Sequence, residues 1–260
     1  MLFKISLMQK IVFISGATSG IGEASAIKFA HNQFDLIITG RRGDRLKVLA
    51  EKLTAETGAK VITFEFDVRK RKEVEEAVNS LPVEWKKIDV LVNNAGLALG
   101  LDPVNEGNPE NWDIMIDTNV KGLLYLTRAV SPLMILAGTG HIINIGSVAG
   151  REVYPNGNVY CATKYAVDAL TKGMRMDLLK YGIKVTQVAP GAAETEFSEV
   201  RFAGDKVRAG NVYKGYTPLC AEDIAGVIFY VASLPPHVNI NDILVMPTAQ
   251  ASAMQINKTE

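Results

Sequence analysis

IVFISGATSGIGEASAIKFA, residues 11–30, joins a β-branched apolar run to an apolar helical pattern through a glycine-rich turn. Gly16, Gly20 and Gly22 follow the strand candidate 11–15 with the spacing G-x-x-x-G-x-G. A turn free of Cβ atoms lets the backbone approach a phosphate closely, and the helix that follows points its N-terminal N–H groups at the anion. Glycines also serve plain turns. The position between the first strand and the first helix favours a turn that binds a dinucleotide pyrophosphate.

The rest of the chain continues this alternation of strand and helix. The β-branched runs predict seven strands, at 11–15, 35–39, 61–66, 89–93, 141–146, 184–189 and 242–246. Helical periodicity predicts six helices, near 20–31, 43–56, 70–79, 109–136, 157–181 and 221–233. Strands that alternate with helices are typical of βαβ units and a mostly parallel sheet. We therefore predict one α/β domain over residues 1–260, a doubly wound, seven-stranded parallel sheet of the Rossmann type.

The least regular part of the chain is the lid segment, which we define as residues 192–218. It is rich in glycine and charged residues and follows the end of a predicted strand. Ligands bind at the carboxyl ends of strands in such sheets, and long loops there are often functional. The sequence therefore predicts a mobile lid over a ligand.

The balance of charge limits the partners of this protein. Lys and Arg together number 28, as do Asp and Glu, so no basic field would attract nucleic acid or an anionic membrane. No uncharged apolar stretch reaches the roughly 18 residues that span a bilayer. The opening residues MLFKISLMQKIVFISG are interrupted by Lys4 and Lys10, which favours a short extension and a first strand over a secretory signal. The start residue is either Met1 or Met8.

Cysteine and histidine usage argues against a disulfide framework and against a metal site. Cys161 and Cys220 are far apart in sequence and outside any C-x-x-C pattern, which favours a reduced, cytoplasmic setting. His31, His141 and His237 are isolated from one another and from the cysteines, so we predict no bound metal.

The end of the second predicted strand indicates which dinucleotide binds. TGRR (39–42) lacks the acidic residue that would bond a ribose 2′-hydroxyl about 20 residues after the glycines. Arg41 and Arg42 instead present guanidinium groups suited to a 2′-phosphate, which favours NADP over NAD. The alternative is an ordinary solvated basic pair at the start of a helix. Asp67 and NNAG (93–96) end the next two strands at the same edge of the sheet.

Three polar residues near the fifth strand form a candidate acid/base group. Ser147 ends that strand, and Tyr160 and Lys164 are one helical turn apart, so they share a helix face. A neighbouring ammonium favours the phenolate of a tyrosine, whose ordinary pKa is near 10. Tyr160 is therefore the predicted general base. Cys161 beside it has no nearby histidine to activate it, so we interpret it as a packing residue.

These motifs occur in the order found in short-chain dehydrogenases/reductases, and the chain resembles that family over nearly its whole length. The resemblance implies that Tyr160 exchanges the hydroxyl proton, Ser147 orients the substrate oxygen, and Lys164 binds the nicotinamide ribose and acidifies Tyr160. It implies that Asn119, in DTNVKG, supports a water in the proton relay. The expected cofactor-binding residues are Gly16, Thr18, Ser19, Gly20, Ile21, Gly22, Arg41, Arg42, Asp67, Val68, Asn94, Ala95, Gly96, Tyr160, Lys164, Pro190, Gly191 and Thr195.

A narrower resemblance concerns the substrate. The stretches 80–100, TEFSEVRF (195–202) and 233–247 are similar to the NADP-dependent 3-hydroxy acid dehydrogenases, which act on L-serine, L-allo-threonine and related short acids. This implies hydride transfer between NADP and a 3-hydroxy acid such as 3-hydroxypropionate, or reduction of malonic semialdehyde in reverse. Arg201 is our candidate for binding the substrate carboxylate, with backbone donors at 148–150, Asn156 and Asn158 as alternatives.

Two other functions remain open from the sequence. One is a 3-oxoacyl or general carbonyl reductase of the same family. The other is a nucleotide sensor without turnover, against which the intact set of Ser147, Tyr160 and Lys164 argues. Members of the family are usually tetramers, which implies a homotetramer packed through the helices at 109–136 and 157–181.

Overall fold

The computed structural model of the protein describes residues 9–259, so the choice between Met1 and Met8 lies outside the described residues. All seven predicted strands are present, and their ends differ from the expected bounds by one residue at most. They are β1 (Lys10–Ser15), β2 (Phe34–Gly40), β3 (Val61–Glu65), β4 (Val90–Asn93), β5 (His141–Ile145), β6 (Lys184–Pro190) and β7 (Asp242–Val245).

The strands form one parallel sheet in the order β3-β2-β1-β4-β5-β6-β7. The first strand is central, with Val12 opposite Leu36 of β2 on one side and Val90 of β4 on the other. The chain order reverses between β1 and β4, and a ligand crevice forms at such a switch point, outside the carboxyl ends of the strands. The predicted doubly wound α/β fold is confirmed.

Nine α-helices are described around the sheet. They are α1 (Gly20–Ala30), α2 (Gly43–Thr57), α3 (Arg71–Asn79), α4 (Pro109–Ile116), α5 (Leu123–Ala137), α6 (Asn158–Leu178), α7 (Glu196–Arg201), α8 (Lys206–Tyr213) and α9 (Ala221–Ser233). The helices α1, α2 and α9 cover one face, and α3, α5 and α6 cover the other. Alternate residues of β1 enter the two cores, Ile14 with Phe29 and Phe13 with Leu126. Burial on both faces explains why β1 is continuously apolar.

The predicted helix at 109–136 contains an irregularity that the sequence did not indicate. A π-helical segment, Asp117–Gly122, separates α4 from α5. Such segments occur often at functional sites. Gly122 lets this segment approach the end of the cleft, since a Cβ at this position would lie 2.7 Å from Cγ2 of Val68.

The lid segment is more regular than the sequence suggested, because it contains α7 and α8. Each helix begins at a capping side chain. Thr195 Oγ1 accepts a hydrogen bond from the Phe197 amide at 3.2 Å, and Asp205 Oδ1 accepts one from the Arg208 amide at 2.9 Å. Thr and Asp are favoured at this position, although the sequence analysis did not identify these two caps. Movement of the segment stays a prediction.

Within residues 9–259, the run Pro109–Ala137 is the one helix long and apolar enough to cross a bilayer by length and composition. A helix of a protein core passes the same test. Leu126, Val130 and Met134 of this run are buried against the sheet, whereas Leu124 and Leu136 are exposed. The run therefore packs one side against the sheet and exposes apolar side chains on the other side.

Candidate active site

A cavity of about 460 Å³ lies at the carboxyl ends of the strands, beneath the lid segment. Most residues predicted from the sequence for the site line it. They are Gly16, Thr18, Ser19, Gly20, Ile21, Arg41, Arg42, Asp67, Val68, Asn94, Ala95, Gly96, Ser147, Tyr160, Lys164, Pro190, Gly191, Thr195 and Arg201. The structure thus brings together, in one cleft, residues that are as far apart in sequence as the glycine turn and the lid.

The glycine turn is shaped by close backbone approaches. Gly16 has φ +68°, and a Cβ there would lie 2.9 Å from the Cα of Ala95. Gly22 lies behind the cavity lining, where a Cβ would be 2.2 Å from the Gly16 carbonyl oxygen. The N-cap residue of α1, Ser19, makes no capping hydrogen bond with its side chain in the described structure. The first N–H groups of α1 therefore remain free to bind an anion.

Two side chains, Asn94 and Thr195, border the turn on either side. Asn94 Nδ2 donates to the carbonyl oxygens of Ser15 at 2.9 Å and Gly16 at 3.1 Å, which ties the end of β4 to the turn. On the other side of the turn, a Cβ at Gly20 would lie 3.2 Å from the Cβ of Thr195. Thus Asn94 and Thr195 form opposite walls of a narrow cradle that fits a pyrophosphate.

The expected 2′-phosphate side of the cleft is formed around Arg42. Its Nε and one terminal nitrogen donate to Thr18 Oγ1 at 3.1 and 2.8 Å, and that same nitrogen donates to Ser19 Oγ at 2.8 Å. The other terminal nitrogen donates to Glu196 at 2.8 Å. Arg45 reaches the second oxygen of this carboxylate at 2.6 Å. The sequence analysis did not single out Arg45 or Glu196.

Arg41 and Asp67 lie at the edge of this region. Arg41 is exposed and makes no side-chain hydrogen bond to any residue within 9–259, so the two neighbouring arginines are not equivalent. The Asp67 carboxylate accepts two side-chain hydrogen bonds from Arg69, at 2.8 and 2.6 Å. Arg69 thereby fixes the carboxylate at the rim of the cleft.

Ser147, Tyr160 and Lys164 converge at the inner end of the cleft. Tyr160 and Lys164 are only 8% and 7% exposed, and the Lys164 Nζ lies 5.9 Å from the centre of the Tyr160 ring. This ammonium donates to the Ile145 carbonyl oxygen at 2.9 Å, at the end of β5. The predicted side-by-side placement on α6 is present, but the lysine is anchored to the sheet.

The ionisation of this group differs from the sequence expectation. Burial and the neighbouring Tyr154 raise the pKa of the Tyr160 phenol, while the Ser147 hydroxyl and the Arg201 charge oppose that rise. Burial also lowers the pKa of Lys164 to about 8. The expectation that Lys164 acidifies Tyr160 considered only charge and omitted desolvation, which favours the neutral form of both groups. Tyr160 is therefore a protonated phenol near neutral pH.

Asn119 lies in the π-helical segment, behind the cavity lining. Its Nδ2 donates to the Leu97 carbonyl oxygen at 2.8 Å and to Thr163 Oγ1 at 3.0 Å. Its Oδ1 accepts the Leu97 amide at 2.8 Å. The side-chain amide thus fixes the loop after β4 against α6, and a water held by this side chain stays a prediction.

Arg201 projects from the end of α7 into the cleft. Its Nε donates to the Gly100 carbonyl oxygen at 3.1 Å, and one terminal nitrogen donates to the Tyr154 hydroxyl at 3.0 Å. The other terminal nitrogen is buried and has no hydrogen-bond partner among the described residues. The Phe197 ring packs at 5.6 Å from the Tyr160 ring, between the lid and the acid/base group. Sequence reasoning missed Tyr154 and Phe197, since no motif marks them.

Comparisons with known proteins agree with this geometry. Residues 10–206 match the family model for short chain dehydrogenases. The chain is 50% identical over 244 residues to the NADP-dependent 3-hydroxy acid dehydrogenase YdfG of Salmonella typhi, covering 94% of this chain and 97% of the relative. It is 48% identical over 253 residues to sulfoacetaldehyde reductase 2 of Chromohalobacter salexigens, covering 96% and 100%. Among solved structures, the closed form of serine dehydrogenase complexed with NADP+ superposes with a TM-score of 0.89 at 46% identity, covering 94% and 97% of the two chains.

Proposed function

The chain belongs to the short chain dehydrogenase family, and we propose that it oxidises short 3-hydroxy acids with NADP+ or reduces the corresponding oxo acids with NADPH. Candidate substrates are L-serine, L-allo-threonine and 3-hydroxypropionate, with malonic semialdehyde for the reverse reaction. The observation that carries this proposal is the half-buried guanidinium of Arg201, which has one buried nitrogen without a partner among the described residues and lines the same cavity as Ser147 and Tyr160. A relative of 50% identity that is named for 3-hydroxy acids supports the same class.

The cofactor is NADP, and the residues present fit it. The backbone packs so closely at Gly16 and Gly22 that no side chain fits at either position. This leaves a cradle of backbone atoms, and the N-terminus of α1 opens onto it. Arg42 lies where the ribose 2′-phosphate is expected, beside Thr18 and Ser19. Bound NADP supplies the carbon that accepts or gives the hydride.

The protein's own groups handle the proton. In the reducing direction, the Tyr160 phenol donates its proton to the substrate oxygen as the carbonyl carbon of the substrate receives the hydride. Its raised pKa keeps the phenol protonated for this step. In the oxidising direction, the deprotonated form of Tyr160 accepts the hydroxyl proton while the hydride leaves the substrate carbon. The buried Lys164 ammonium stabilises that phenolate before the transfer. Ser147 donates to or accepts from the substrate oxygen.

Arg201 gives the proposed site its preference for an anionic substrate. A buried anion without a partner is prohibitively costly, and the unpaired nitrogen of Arg201 supplies the missing donor. The guanidinium carbon lies 5.7 Å from the Tyr160 ring centre, so the cation and the acid/base group border the same part of the cavity. A bulky uncharged ketone or an acyl thioester gains nothing from this cation.

A sulfonate is the second candidate for the charged end. The chain is 48% identical to a sulfoacetaldehyde reductase, and a guanidinium pairs with a sulfonate as with a carboxylate. A substrate panel with NADP+ or NADPH, read at 340 nm, tests both candidates. We expect turnover of L-serine, 3-hydroxypropionate or 2-hydroxyethanesulfonate. Activity confined to acyl thioesters or uncharged ketones would contradict an anion-specific site and favour the general carbonyl reductase.

We also propose that the protein assembles as a homotetramer and acts in the cytoplasm. The outer surfaces of α5 and α6 expose Leu124, Leu136, Tyr165 and Met176, apolar side chains suited to a subunit interface. Both cysteines are free, which fits a reducing compartment. Light scattering at micromolar concentration tests the assembly, and a monomer mass would exclude it.

A further inference from the structure

An ion-pair cluster at the edge of the cleft links the lid segment to the start of α2. Glu196, the first residue of α7, reaches across to two arginines near the start of α2. One oxygen lies 2.8 Å from an Arg42 terminal nitrogen and the other 2.6 Å from an Arg45 terminal nitrogen. No sequence motif accounts for this carboxylate, and the proposed chemistry does not use it.

Four of the five N–H donors of Arg42 already have partners in this arrangement. Thr18 and Ser19 accept from Nε and one terminal nitrogen, and Glu196 accepts from the other. Hydroxyl groups can rotate to donate to an incoming phosphate, but a carboxylate can only accept. A 2′-phosphate that pairs with Arg42 therefore lies close to the negatively charged Glu196 carboxylate, which is hydrogen-bonded to the same guanidinium.

The Glu196 carboxylate is ionised at neutral pH. The hydrogen bond from Arg42 lowers the pKa of Glu196, and the one from Arg45 lowers it further. Partial burial opposes this shift, and the resulting pKa is about 2. Glu196 and the phosphate thus compete as anions for one pair of cations, and binding of one weakens binding of the other.

We infer that Glu196 competes with the 2′-phosphate of NADP for Arg42 and Arg45, lowers the affinity for NADP(H), and accelerates its release. The inference rests on the proposed use of NADP. NAD lacks the phosphate, so Glu196 leaves NAD affinity unchanged. The protein therefore binds NADP less tightly than it would without Glu196, and it releases the cofactor faster.

Calorimetric titration with NADP+ and with NAD+ tests the inference on the whole protein. In Glu196→Gln, which keeps the shape but removes the charge, we expect the Kd for NADP+ to fall about three- to tenfold, because ion pairs at exposed positions are individually weak. The Kd for NAD+ should stay within about twofold. Stopped-flow fluorescence should show NADPH leaving the variant more slowly by a similar factor.

Glu199→Gln is the matched control, since Glu199 lies on the same helix but makes no ion pair with any described residue. It should bind both cofactors as the parent does. If the parent prefers NADP+ but Glu196→Gln binds it no tighter, or less tightly, Glu196 is a clamp rather than a competitor and the inference is wrong. Equal tightening for NAD+ would also refute it, because the competition would not involve the 2′-phosphate. Equal Kd values of the parent for the two cofactors would instead refute the proposed NADP preference.

Discussion

The guanidinium of Arg201 lies between two tyrosine rings, 5.5 Å from the centre of Tyr154 and 5.7 Å from that of Tyr160. One residue of the lid segment is thus in contact range of the acid/base group, and one of its nitrogens still lacks a partner among residues 9–259. Buried donors are nearly always satisfied. The relationship between Arg201 and Tyr160 therefore supports the proposed anionic substrate.

Replacement of Arg201 tests that assignment. Arg201→Ala should raise KM for L-serine or 3-hydroxypropionate about ten- to hundredfold, because a hydrogen bond to a charged group contributes about 1.5–3 kcal/mol. An uncharged alcohol of similar size should be affected little. Arg208→Ala, an exposed arginine of α8 that stacks on Phe202 instead, is the control. A uniform loss for both substrates would mean that Arg201 only holds the lid.

Removal of the Tyr160 hydroxyl tests the proton transfer. Tyr160→Phe keeps the ring that packs on Phe197, so the fold and the Kd for NADP+ should be unchanged. Turnover should fall about 10²–10⁴-fold, the usual contribution of a positioned acid/base group. Tyr230→Phe, on the exposed side of α9, should retain full activity. A Tyr160→Phe variant within a few-fold of the parent would exclude the proposed role.

The two neighbouring arginines should contribute unequally to cofactor choice. Arg42→Ala should raise KM for NADP+ about ten- to hundredfold and leave NAD+ nearly unaffected, since Arg42 is held beside Thr18 and Ser19. Arg41→Ala should have a smaller effect, because Arg41 is exposed and makes no hydrogen bond in the described structure. Steady-state kinetics with both cofactors measures the difference, and a larger effect at Arg41 would reverse the assignment.

A buried histidine of β5 should make the protein sensitive to acid. His141 has one ring nitrogen 2.7 Å from Thr186 Oγ1 and the other buried without a partner among the described residues. Burial, with the nearby Lys184 charge, lowers its pKa from 6.5 to about 3. The unfolded chain therefore binds an extra proton between these values, so stability is full above pH 6.5 and falls as the pH drops toward 3.

Urea unfolding at several pH values measures this effect. His141 should contribute a slope of up to about 1.4 kcal/mol per pH unit within the window. His141→Gln should show a correspondingly smaller slope, whereas His31→Gln, at an exposed position, should match the parent. Equal slopes for all three proteins would show that His141 does not titrate on unfolding.

Much of this site was predictable because its parts are local patterns. The glycines, the strand ends and the Tyr160–Lys164 spacing each depend on a few consecutive residues, and the parallel sheet brings them to one edge. The raised pKa of Tyr160 was not predictable, because it depends on how deeply the ring is buried beneath Tyr154 and Phe197. Glu196 is 151 residues from Arg45, and nothing in either local sequence indicates that they meet.

The sheet order has a consequence for how the chain acquires its structure. The central strand β1 is made first, and its pairing with β2 is available early, but its other neighbour is β4, whose Val90 pairs with Val12. Until about residue 93 has been synthesised, one hydrogen-bonding edge of this apolar strand has no native partner. Pairings between distant residues slow folding, and exposed apolar edges promote aggregation of intermediates. We expect pulse-labelling hydrogen exchange during refolding to protect the β1–β2 side before the β1–β4 side, and chaperones that shield strand edges to raise the yield of native protein.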